Sequence, residues 1–332
     1  MLLVVQVPCL NEEDNIGAVI ADVPRQISGV DEVKVLVIDD GSEDATASVA
    51  TEAGADRVVR HSANQGLAAA YSTGLKTALD MGADVIVNTD ADNQYPGDLI
   101  PQLVAPVVNG QADLVIGARP IGEIREFSRV KRLLQRIGSK VVRWITRLNV
   151  DDAPSGFRAI NRQTAQQVFV YTRYTYTLET LVQLGVHGVR VVSLPIRVNA
   201  STRPSRLMKN SLSYVLRSTV TILRVLLIYR AVRIFGFLSL LSFVTAALLG
   251  VRYLILLSQD PRAGHVQSLI LAAILAIASL LFLLAGFLGD LLAANRRLLE
   301  DIRYRLQSGA MDSFVLTRSR EEAESGPDQG RQ

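Results

Sequence analysis

Two long uncharged segments near the C-terminus constrain this chain more than any other feature. The first runs from Ile234 to Gly250 and continues from Tyr253 to Leu257 beyond a single arginine, Arg252, and the second runs from Val266 to Gly289. A helix needs about 20 consecutive apolar residues to cross a bilayer, and an arginine near its end can reach the polar interface. The sequence therefore predicts two transmembrane helices. The alternative is a pair of buried core helices, although ordinary helices of about 11 residues rarely stay uncharged for so long.

Basic residues flank these two segments on one side only. Between Arg203 and Arg233 there are seven basic residues and no acidic one, and four arginines lie between Arg296 and Arg305. Cytosolic loops next to membrane helices carry an excess of lysine and arginine. The two helices are therefore predicted to form a hairpin in the cytoplasmic membrane, with both termini and the large N-terminal part in the cytosol.

The basic segment before the first apolar run also has a helical pattern. Arg206, Lys209, Arg217 and Arg224 follow one another at steps of three, eight and seven residues, close to one face of a helix. An amphipathic helix of this kind lies on an anionic leaflet, where each basic residue contributes about 1 kcal/mol. A basic linker that only sets the topology is the alternative.

Strand and helix patterns alternate through residues 1–200. This order is typical of an α/β fold whose mostly parallel sheet is covered by helices on both faces, and such sheets bind ligands at the carboxyl ends of their strands. The predicted strands are Leu2–Val7, Val33–Ile38, Arg57–Arg60, Asp84–Thr89, Asp113–Gly117 and Val189–Val198. The predicted helices are Glu12–Gln26, Glu43–Ala53, Leu67–Met81, Gly97–Val108, Arg129–Leu148 and Tyr176–Leu184.

These patterns divide the chain into five parts. The last part is polar and has no apolar period, so it is predicted to be disordered. The parts are a cytosolic α/β domain (1–202), a basic amphipathic segment (203–232), two transmembrane helices (233–294, with spans near 234–257 and 266–291), a cytosolic helix (295–317) and a disordered tail (318–332).

Polar residues cluster directly after several predicted strands. Pro8–Glu13 follows the first strand, Asp39–Ser42 the second and Asp90–Gln94 the fourth. Asp90 and Asp92 are separated by one residue, so their carboxylates point the same way from an extended backbone. Two such carboxylates bind one hard cation, Mg²⁺ or Mn²⁺, and leave the other ligand positions to phosphate and water. An acidic turn or a helix cap is the alternative for a single Asp-x-Asp.

Other function classes receive no support from the sequence. The net charge of +3 is too small to indicate nucleic-acid binding, and Cys9, the only cysteine, cannot form an internal disulfide. The three histidines, His61, His187 and His265, are scattered and form no metal pattern with Cys9. There is no Ser-His-Asp order and no P-loop, so hydrolase and kinase mechanisms are not indicated.

Two sets of motifs carry a resemblance to a known family. The first set is Pro8–Glu12, Asp39–Ser42, Asn64–Gly66 with Gly74, and Asp90–Gln94. The second set is Gly117–Arg119, Asp152–Arg158 and Glu179. The first resembles family-2 glycosyltransferases, which have the GT-A fold, and the second resembles their polyprenyl-phosphate branch, represented by dolichol-phosphate mannosyltransferase. Two positions depart from that branch: Asn93 stands where leucine is common, and Ser155 where some members have aspartate.

The resemblance implies a nucleoside-diphosphate-sugar donor and a metal. The implied nucleotide-binding residues are Pro8, Leu10, Asn11, Glu12, Asp39, Asp40, Gly66, Asp90 and Ala91. The implied ligands of Mg²⁺ or Mn²⁺ are Asp90, Asp92 and Gln94. Structural interpretations stay open beside these roles, because Pro8 can simply end a strand, Glu12 can occupy a first helical turn and Gly66 can merely permit a turn.

The implied acceptor is polyprenyl phosphate, which agrees with a membrane anchor and a basic rim. A phosphate monoester, with a second pKa of about 6, is largely ionised at neutral pH and needs no strong base to attack an anomeric carbon. The protein must position this phosphate and screen its charge, for which guanidinium groups are suited. The predicted phosphate-binding residues are Arg119, Arg129, Arg203 and Arg206.

Asp152, Arg119 and Arg129 are the predicted catalytic residues. Asp152 either orients or deprotonates the acceptor, or it forms a salt bridge to Arg158, and the sequence does not separate these roles. For Arg119 and Arg129 the alternative is a solvated surface charge, and for the two later arginines it is attraction to the membrane surface.

The resulting prediction is an inverting, metal-dependent transfer of a hexose from a nucleotide-sugar, of the UDP-glucose or GDP-mannose type, to polyprenyl phosphate. Such a lipid-linked sugar implies a separate flippase and a downstream glycosyltransferase. Another lipid or a glycan as acceptor is one alternative, and a non-catalytic membrane scaffold that binds nucleotide-sugar is another. The small residues Gly236, Ala246, Ala247 and Gly250 permit close helix contacts and therefore a homo-oligomer.

Overall fold

The computed structural model describes residues 1–120, 139–140, 143–144, 146, 148–168, 170, 176–186, 188–199, 211–259 and 266–324. The chain divides into two compact units, of which one comprises Met1–Ser218 with Arg303–Gln332 and the other comprises Thr219–Ile302. The first unit contains the α/β domain, and the second contains the two apolar segments.

Among the described residues, the α/β domain has a seven-stranded sheet with the order β3-β2-β1-β4-β6-β5-β7. All neighbouring strands are parallel except β6, which is antiparallel to both β4 and β5. The predicted mostly parallel sheet is confirmed, but β6 was not predicted, because its four residues begin with an arginine and form no β-branched run. The strands are β1 (Leu2–Cys9), β2 (Glu32–Asp39), β3 (Arg57–Arg60), β4 (Val85–Asn88), β5 (Leu114–Ala118), β6 (Arg158–Asn161) and β7 (Val191–Pro195).

Helices cover both faces of this sheet. The described helices of the domain are α1 (Ile16–Ala21), α2 (Thr46–Glu52), α3 (Leu67–Asp80), α4 (Ile100–Val108), α5 (Arg162–Gln167) and α6 (Thr177–Val186). The first is shorter than predicted, because Asn11 before it has a left-handed φ of 53° and Pro24 after it disfavours helical backbone at the preceding residue. The predicted helix Arg129–Leu148 falls mostly outside the described residues.

Successive side chains of the strands pack alternately into two hydrophobic cores, one on each face of the sheet. In β1, Val5 joins the core on one face and Val4 joins the core on the other. Helix α3 lies very close to the sheet at Gly74, where an added methyl carbon would be 2.6 Å from both Gln6 Oε1 and Ile38 Cδ1. A glycine at this position therefore sets the distance of α3 from β1 and β2, and with it the position of the first turn of α3.

The two apolar segments, Ala231–Gln259 and Val266–Asn295, lie within the long helices α7 (Ser211–Gln259) and α8 (Val266–Glu324). At 29 and 30 residues, both are long enough to cross a bilayer. Only 11% and 17% of their most apolar stretches is buried within the protein. A pair of core helices would be mostly buried, so this exposed apolar surface indicates membrane association instead.

The two segments pack against each other through small residues. A methyl carbon added at Gly289 would lie 2.5 Å from Cβ of Ala231, so the two backbones are close there. Further along, Ser239 Oγ and Ser279 Oγ share a hydrogen bond of 3.1 Å. Ala231 of α7 lies beside Gly289 of α8, and the later residue Ser239 lies beside the earlier residue Ser279. The two segments therefore run antiparallel and form a hairpin.

Helix α8 continues beyond its apolar segment to Glu324. The sequence predicted a cytosolic helix at 295–317 and a disordered tail from residue 318. Residues 295–317 are helical and continue the second apolar segment without a break, whereas residues 318–324 are helical instead of disordered. Arginine, glutamate and alanine, which make up most of residues 318–324, have high helix propensities.

We expect the distance between the two helices of the hairpin to depend on the size of residue 289. In a variant with Ser239→Cys and Ser279→Cys, mild oxidation in nanodiscs should form a disulfide, because the two oxygens they replace are 3.1 Å apart. Adding Gly289→Ala should slow this cross-link by about fivefold or more, since overpacking costs ~1–3 kcal/mol. Gly236→Ala is the control, because a methyl carbon there meets no atom within 4 Å. Equal cross-linking rates with and without Gly289→Ala, measured by mass spectrometry, would contradict the contact between Gly289 and Ala231.

Candidate active site

The topology brings several loops to one edge of the sheet. Strands β1, β2, β4 and β5 run the same way, so the residues that follow them, Asn11, Asp40, Asp90 and Arg119, lie at the same edge. Because β6 runs the opposite way, the segment before it, 152–157, returns to that edge as well. The predicted site residues within the described part of the chain therefore share one rim.

Side chains of the loops after β1 and β2 hold each other in place. The backbone N–H of Asn11 donates to Ser42 Oγ over 2.9 Å, and Asn11 Oδ1 accepts from the backbone N–H of Glu43 over 2.9 Å. Glu12 is buried, and its backbone N–H donates to Thr46 Oγ1 over 2.8 Å. Asparagine tolerates the left-handed backbone of residue 11 better than most residues. The two loops therefore form one hydrogen-bonded unit.

Pro8, Leu10 and Asp39 are placed by the strands themselves. Pro8 lies inside β1, one residue before its end, and Leu10 is half-buried directly after it. Asp39 is fully buried, and its Oδ1 accepts from the backbone N–H of Ser42 over 2.8 Å, while Oδ2 lies 3.2 Å from Arg60 Nε. This carboxylate therefore stabilises its own loop.

Asp40 anchors the start of α3. Its carboxylate accepts hydrogen bonds from the backbone N–H groups of Gln65, over 3.0 Å, and Gly66, over 2.8 Å, and its Oδ1 lies 2.7 Å from His61 Nδ1. His61 Nε2 in turn lies 2.9 Å from Thr73 Oγ1. Gly66 has a φ of 96° directly before the first residue of α3, a backbone conformation that glycine adopts readily. The sequence assigned no role in the site to His61.

Asp90 has a different environment from these carboxylates. It is partly buried, and burial together with the negative charge of Asp92 raises the pKa of Asp90 to about 7, although Arg119 and Arg158 lower it in part. The residue between the two aspartates, Ala91, is buried. A cation bound between the two carboxylates would offset their repulsion.

The loop that carries Asp92 and Gln94 is fixed by hydrogen bonds. Asp92 Oδ1 accepts from the backbone N–H of Gln94 over 3.1 Å. Asn199, which follows β7, donates from its backbone N–H to the carbonyl of Gln94 and from Nδ2 to the carbonyl of Asn93, both over 2.9 Å. Asn93 itself has a left-handed φ of 56°. This backbone conformation explains why asparagine suits a position where leucine is common.

The residues present fit a divalent cation that binds together with a diphosphate. Asp90 and Asp92 supply two carboxylates, and Gln94 is the third predicted ligand. The described part of the chain contains no group of three or more histidine, cysteine, aspartate or glutamate side chains that could hold a metal. Mg²⁺ and Mn²⁺ accept a few protein oxygens and complete their shell with phosphate and water. The fit is therefore to a shared site rather than to a closed metal cage.

A buried polar cluster lies beside Asp90. Asn88 Nδ2 donates to the carbonyl of Gly156 over 2.8 Å and to Tyr176 Oη over 2.9 Å, while Asn88 Oδ1 accepts from Gln6 Nε2 over 2.9 Å. A methyl carbon added at Gly156 would lie 2.8 Å from Asp90 Oδ1. Only glycine therefore allows this close approach between the loop before β6 and the Asp90 carboxylate.

Arg119 and Asp152 form a buried, two-pronged ion pair. Arg119 Nε donates to Asp152 Oδ2 over 2.7 Å and Nη2 donates to Oδ1 over 3.1 Å, and the backbone N–H of Arg119 donates to Oδ2 over 3.2 Å. The two side chains are 11% and 1% exposed. The alternative prediction, a salt bridge from Asp152 to Arg158, is wrong, because the Asp152 carboxylate pairs with the guanidinium of Arg119, which follows β5. The carboxylate therefore holds the Arg119 side chain in place, and the roles predicted for Asp152 toward the acceptor stay predictions.

Arg158 is a buried cation in this site to which the sequence gave no binding role. Its Nε donates to the carbonyl of Ser155 over 2.9 Å, Nη1 to Thr180 Oγ1 over 2.8 Å and Nη2 to the carbonyl of Ala153 over 2.7 Å. Its guanidinium carbon lies 6.0 Å from the ring centroid of Tyr176. These contacts tie the loop before β6 to α6. Its place at the end of the Asp152–Arg158 motif was the available signal that it belongs to the site.

Three of the predicted phosphate-binding residues, Arg129, Arg203 and Arg206, lie outside the described residues. Arg119 is therefore the predicted phosphate ligand whose surroundings the structure describes. Its guanidinium uses two of its five N–H donors on Asp152, and guanidinium groups with remaining donors bind phosphate oxygens well.

Comparison with known sequences identifies the family. The profile of the family described as Glycosyl transferase family 2 matches residues 4–169, half of the chain. The chain belongs to this family. It is a glycosyltransferase, as its motifs predicted, and the matched residues run from β1 to the end of α5, which includes Asn11, Asp40, Asp90, Arg119 and Asp152.

Two relatives in this family act on lipid phosphates, according to their names. Undecaprenyl-phosphate mannosyltransferase of Micrococcus luteus is 30% identical over 200 residues, which cover 57% of this chain and 80% of that protein. UDP-N-acetylglucosamine–dolichyl-phosphate N-acetylglucosaminyltransferase of Methanococcus voltae is 26% identical over 219 residues, which cover 59% of this chain and 85% of that protein. The two names share a polyprenyl phosphate and differ in the sugar.

A solved structure confirms the predicted GT-A-like fold. Glucosyl-3-phosphoglycerate synthase from Mycobacterium tuberculosis, in complex with Mn²⁺, UDP and glucosyl-3-phosphoglycerate, aligns with a TM-score of 0.51. The alignment covers 68% of this chain and 78% of that chain at 24% sequence identity. At this level of identity the likeness concerns the fold alone.

Gly156→Ala is expected to weaken metal binding. The added methyl group would lie 2.8 Å from Asp90 Oδ1 and 2.9 Å from Tyr176 Oη, so the carboxylate and the hydroxyl group that surround it must shift. We expect the affinity for Mn²⁺ in the presence of UDP to fall by about tenfold or more, which corresponds to ~1.4 kcal/mol. Titration calorimetry on the full chain in detergent measures this, and circular dichroism checks that the variant is folded.

Gly17→Ala is the matched control, since its methyl group would make only an ordinary contact of 3.6 Å with Val49. A folded Gly156→Ala variant with unchanged Mn²⁺ affinity would show that Asp90 does not bind the metal.

Proposed function

We propose that this glycosyltransferase moves a hexose from a nucleotide-sugar to polyprenyl phosphate, with a divalent metal and with inversion at the anomeric carbon. One observation carries the proposal: the Arg119 guanidinium is held by Asp152 and is close enough to Asp90 to lower the pKa of that carboxyl. A fixed cation beside a cation-binding carboxylate pair suits an anionic acceptor that must approach a diphosphate. The two relatives named for lipid phosphates support this choice of acceptor.

On the donor side, Asp90, Asp92 and Gln94 would hold Mg²⁺ or Mn²⁺ against the diphosphate. The metal would neutralise charge on the nucleoside diphosphate as it leaves. The linked loops after β1 and β2 would frame the base and ribose, which suits a nucleotide of the UDP or GDP type. The residues proposed for the nucleotide are Pro8, Leu10, Asn11, Glu12, Asp39, Asp40, Gly66, Asp90 and Ala91.

On the acceptor side, the phosphate itself is the nucleophile. It is largely ionised at neutral pH, so its oxygen can attack the anomeric carbon without a general base. Attack from the face opposite the leaving diphosphate breaks the bond between the sugar and the nucleotide and inverts the configuration. Arg119 would bind the phosphate through charge-assisted hydrogen bonds, with Arg129, Arg203 and Arg206 as further proposed ligands. Asp152 acts as a positioning residue, because it holds Arg119.

The two apolar helices would keep the enzyme at the membrane that contains its acceptor. We propose a multi-pass topology in the cytoplasmic membrane with the α/β domain and both termini in the cytosol, so a flippase and a downstream glycosyltransferase would use the product. A homo-oligomer would form through Gly236 and Gly250, where an added methyl carbon meets no atom within 4 Å. Ala246, also predicted for this contact, is instead buried.

The direct test is a transfer assay on the full chain in detergent. Undecaprenyl phosphate, Mg²⁺ or Mn²⁺ and a panel of nucleotide-sugars would be incubated with the enzyme, and mass spectrometry would detect the lipid-phosphate sugar. We expect a product from one donor and a loss of about 10²-fold or more in Asp92→Ala, because the metal site loses a carboxylate.

Parallel reactions with diacylglycerol distinguish the alternatives. Transfer to diacylglycerol without any dependence on lipid phosphate would replace the proposed acceptor. Nucleotide binding without transfer to either lipid would favour a non-catalytic scaffold.

A second test separates positioning from base catalysis at Asp152. Asp152→Asn removes the charge that holds Arg119, and Arg119→Lys removes the two-pronged geometry, so each should raise KM for the lipid phosphate and lower kcat by about 10-fold to 100-fold. Because both changes break one ion pair, the double variant should lose little more than the worse single variant. If the losses of the two single variants multiply in the double variant, Asp152 acts as a general base. A pH profile that changes in Asp152→Asn but not in Arg119→Lys would indicate the same.

A further inference from the structure

Trp144 stands out on the surface of the α/β domain. Among the described residues between 1 and 199, the exposed large apolar side chains are Met1 and Trp144, and Trp144 is 54% exposed. It is also the only tryptophan of the chain. An indole ring offers a large apolar area and a single N–H donor, a combination suited to a surface with one apolar and one wet side.

The surroundings of Trp144 are partly basic. Lys140 is exposed, and both it and Trp144 have helical backbone at a spacing of four residues, which places them on the same side of a helix. Arg143 is also partly exposed and forms an ion pair of 3.6 Å with Asp151. The Trp144 surface, defined here as Lys140 and Trp144, therefore combines an aromatic ring with a positive charge.

The buried side of the same segment touches the candidate active site. Ser139 is buried, and its Oγ accepts from the backbone N–H of Ala153 over 3.3 Å. The carbonyl of Ala153 in turn accepts from Arg158 Nη2 over 2.7 Å. The segment that carries Trp144 is therefore attached to the loop that contains Asp152.

We propose that the Trp144 surface contacts the head-group region of an anionic lipid bilayer. Tryptophan is enriched where proteins meet the membrane interface, and an exposed lysine is attracted to an anionic leaflet. The chain itself provides the bilayer as occupant, because two apolar helices of spanning length keep the α/β domain within reach of one. Through Ser139, this contact would steady the loop that positions Arg119 whenever the enzyme is at a membrane.

The unmodified protein allows a direct test, because all tryptophan fluorescence comes from Trp144. The full chain would be placed in nanodiscs of phosphatidylcholine and phosphatidylglycerol, assembled with a tryptophan-free scaffold protein and without polyprenyl phosphate, and compared with discs whose acyl chains carry bromine near the head group. We expect the brominated discs to lower the emission by about twofold, and the lipid to protect the ring from acrylamide. Equal emission in both discs, with full quenching by acrylamide, would overturn the proposal.

Two variants sharpen the result. Glu52 is exposed at the end of α2, beside β3 at one edge of the sheet, whereas the segment before β6 contacts β7 at the other edge. A tryptophan moved there by Trp144→Phe with Glu52→Trp should show no quenching by bromine. Lys140→Glu should reduce quenching only in discs that contain phosphatidylglycerol. A concentration-dependent blue shift in detergent, without quenching in discs, would assign the surface to a second copy of the chain and overturn the proposal.

Discussion

The hydrogen bonds of a single buried amide hold together the parts from which the site is built. Asn88 ends β4, and its side chain donates to Gly156 and Tyr176 and accepts from Gln6 of β1. A buried amide is costly unless its donors and acceptor are used, so these partners must stay in place. Since Asp90 follows two residues later, the same bonds determine where this carboxylate leaves the sheet and how closely the loop before β6 approaches it.

The aspartates at the rim divide into two kinds by their hydrogen bonds. Asp39 and Asp40 accept hydrogen bonds from backbone N–H groups of their own and neighbouring loops, and Asp152 accepts hydrogen bonds from the guanidinium of Arg119. These carboxylates have their hydrogen-bond partners within the protein and build the walls of the site. Asp90, beside Asp92, receives no comparable stabilisation, as its raised pKa shows. A bound cation would therefore stabilise the Asp90 and Asp92 carboxylates more than the other carboxylates of the rim.

Much of the fold follows from local sequence patterns, and less of the site does. Apolar β-branched runs predicted the parallel strands, and long uncharged runs predicted the apolar helices. Strand β6 was missed, because a four-residue strand that begins with a buried arginine has no such pattern. The partner of Asp152 was missed for a related reason: Arg158 is near in sequence, whereas Arg119 is 33 residues away. Local spacing carries no information on pairing between distant loops.

The connection from β5 to β6 begins and ends on neighbouring strands, with Ile116 paired to Arg158. The Arg119–Asp152 ion pair closes this connection a second time. The entropy cost of closing a loop rises slowly, by about 0.6 kcal/mol for each doubling of its length. The register between β5 and β6 is therefore fixed by contacts at the two ends of this connection, and the length of the connection changes the closure entropy only slightly.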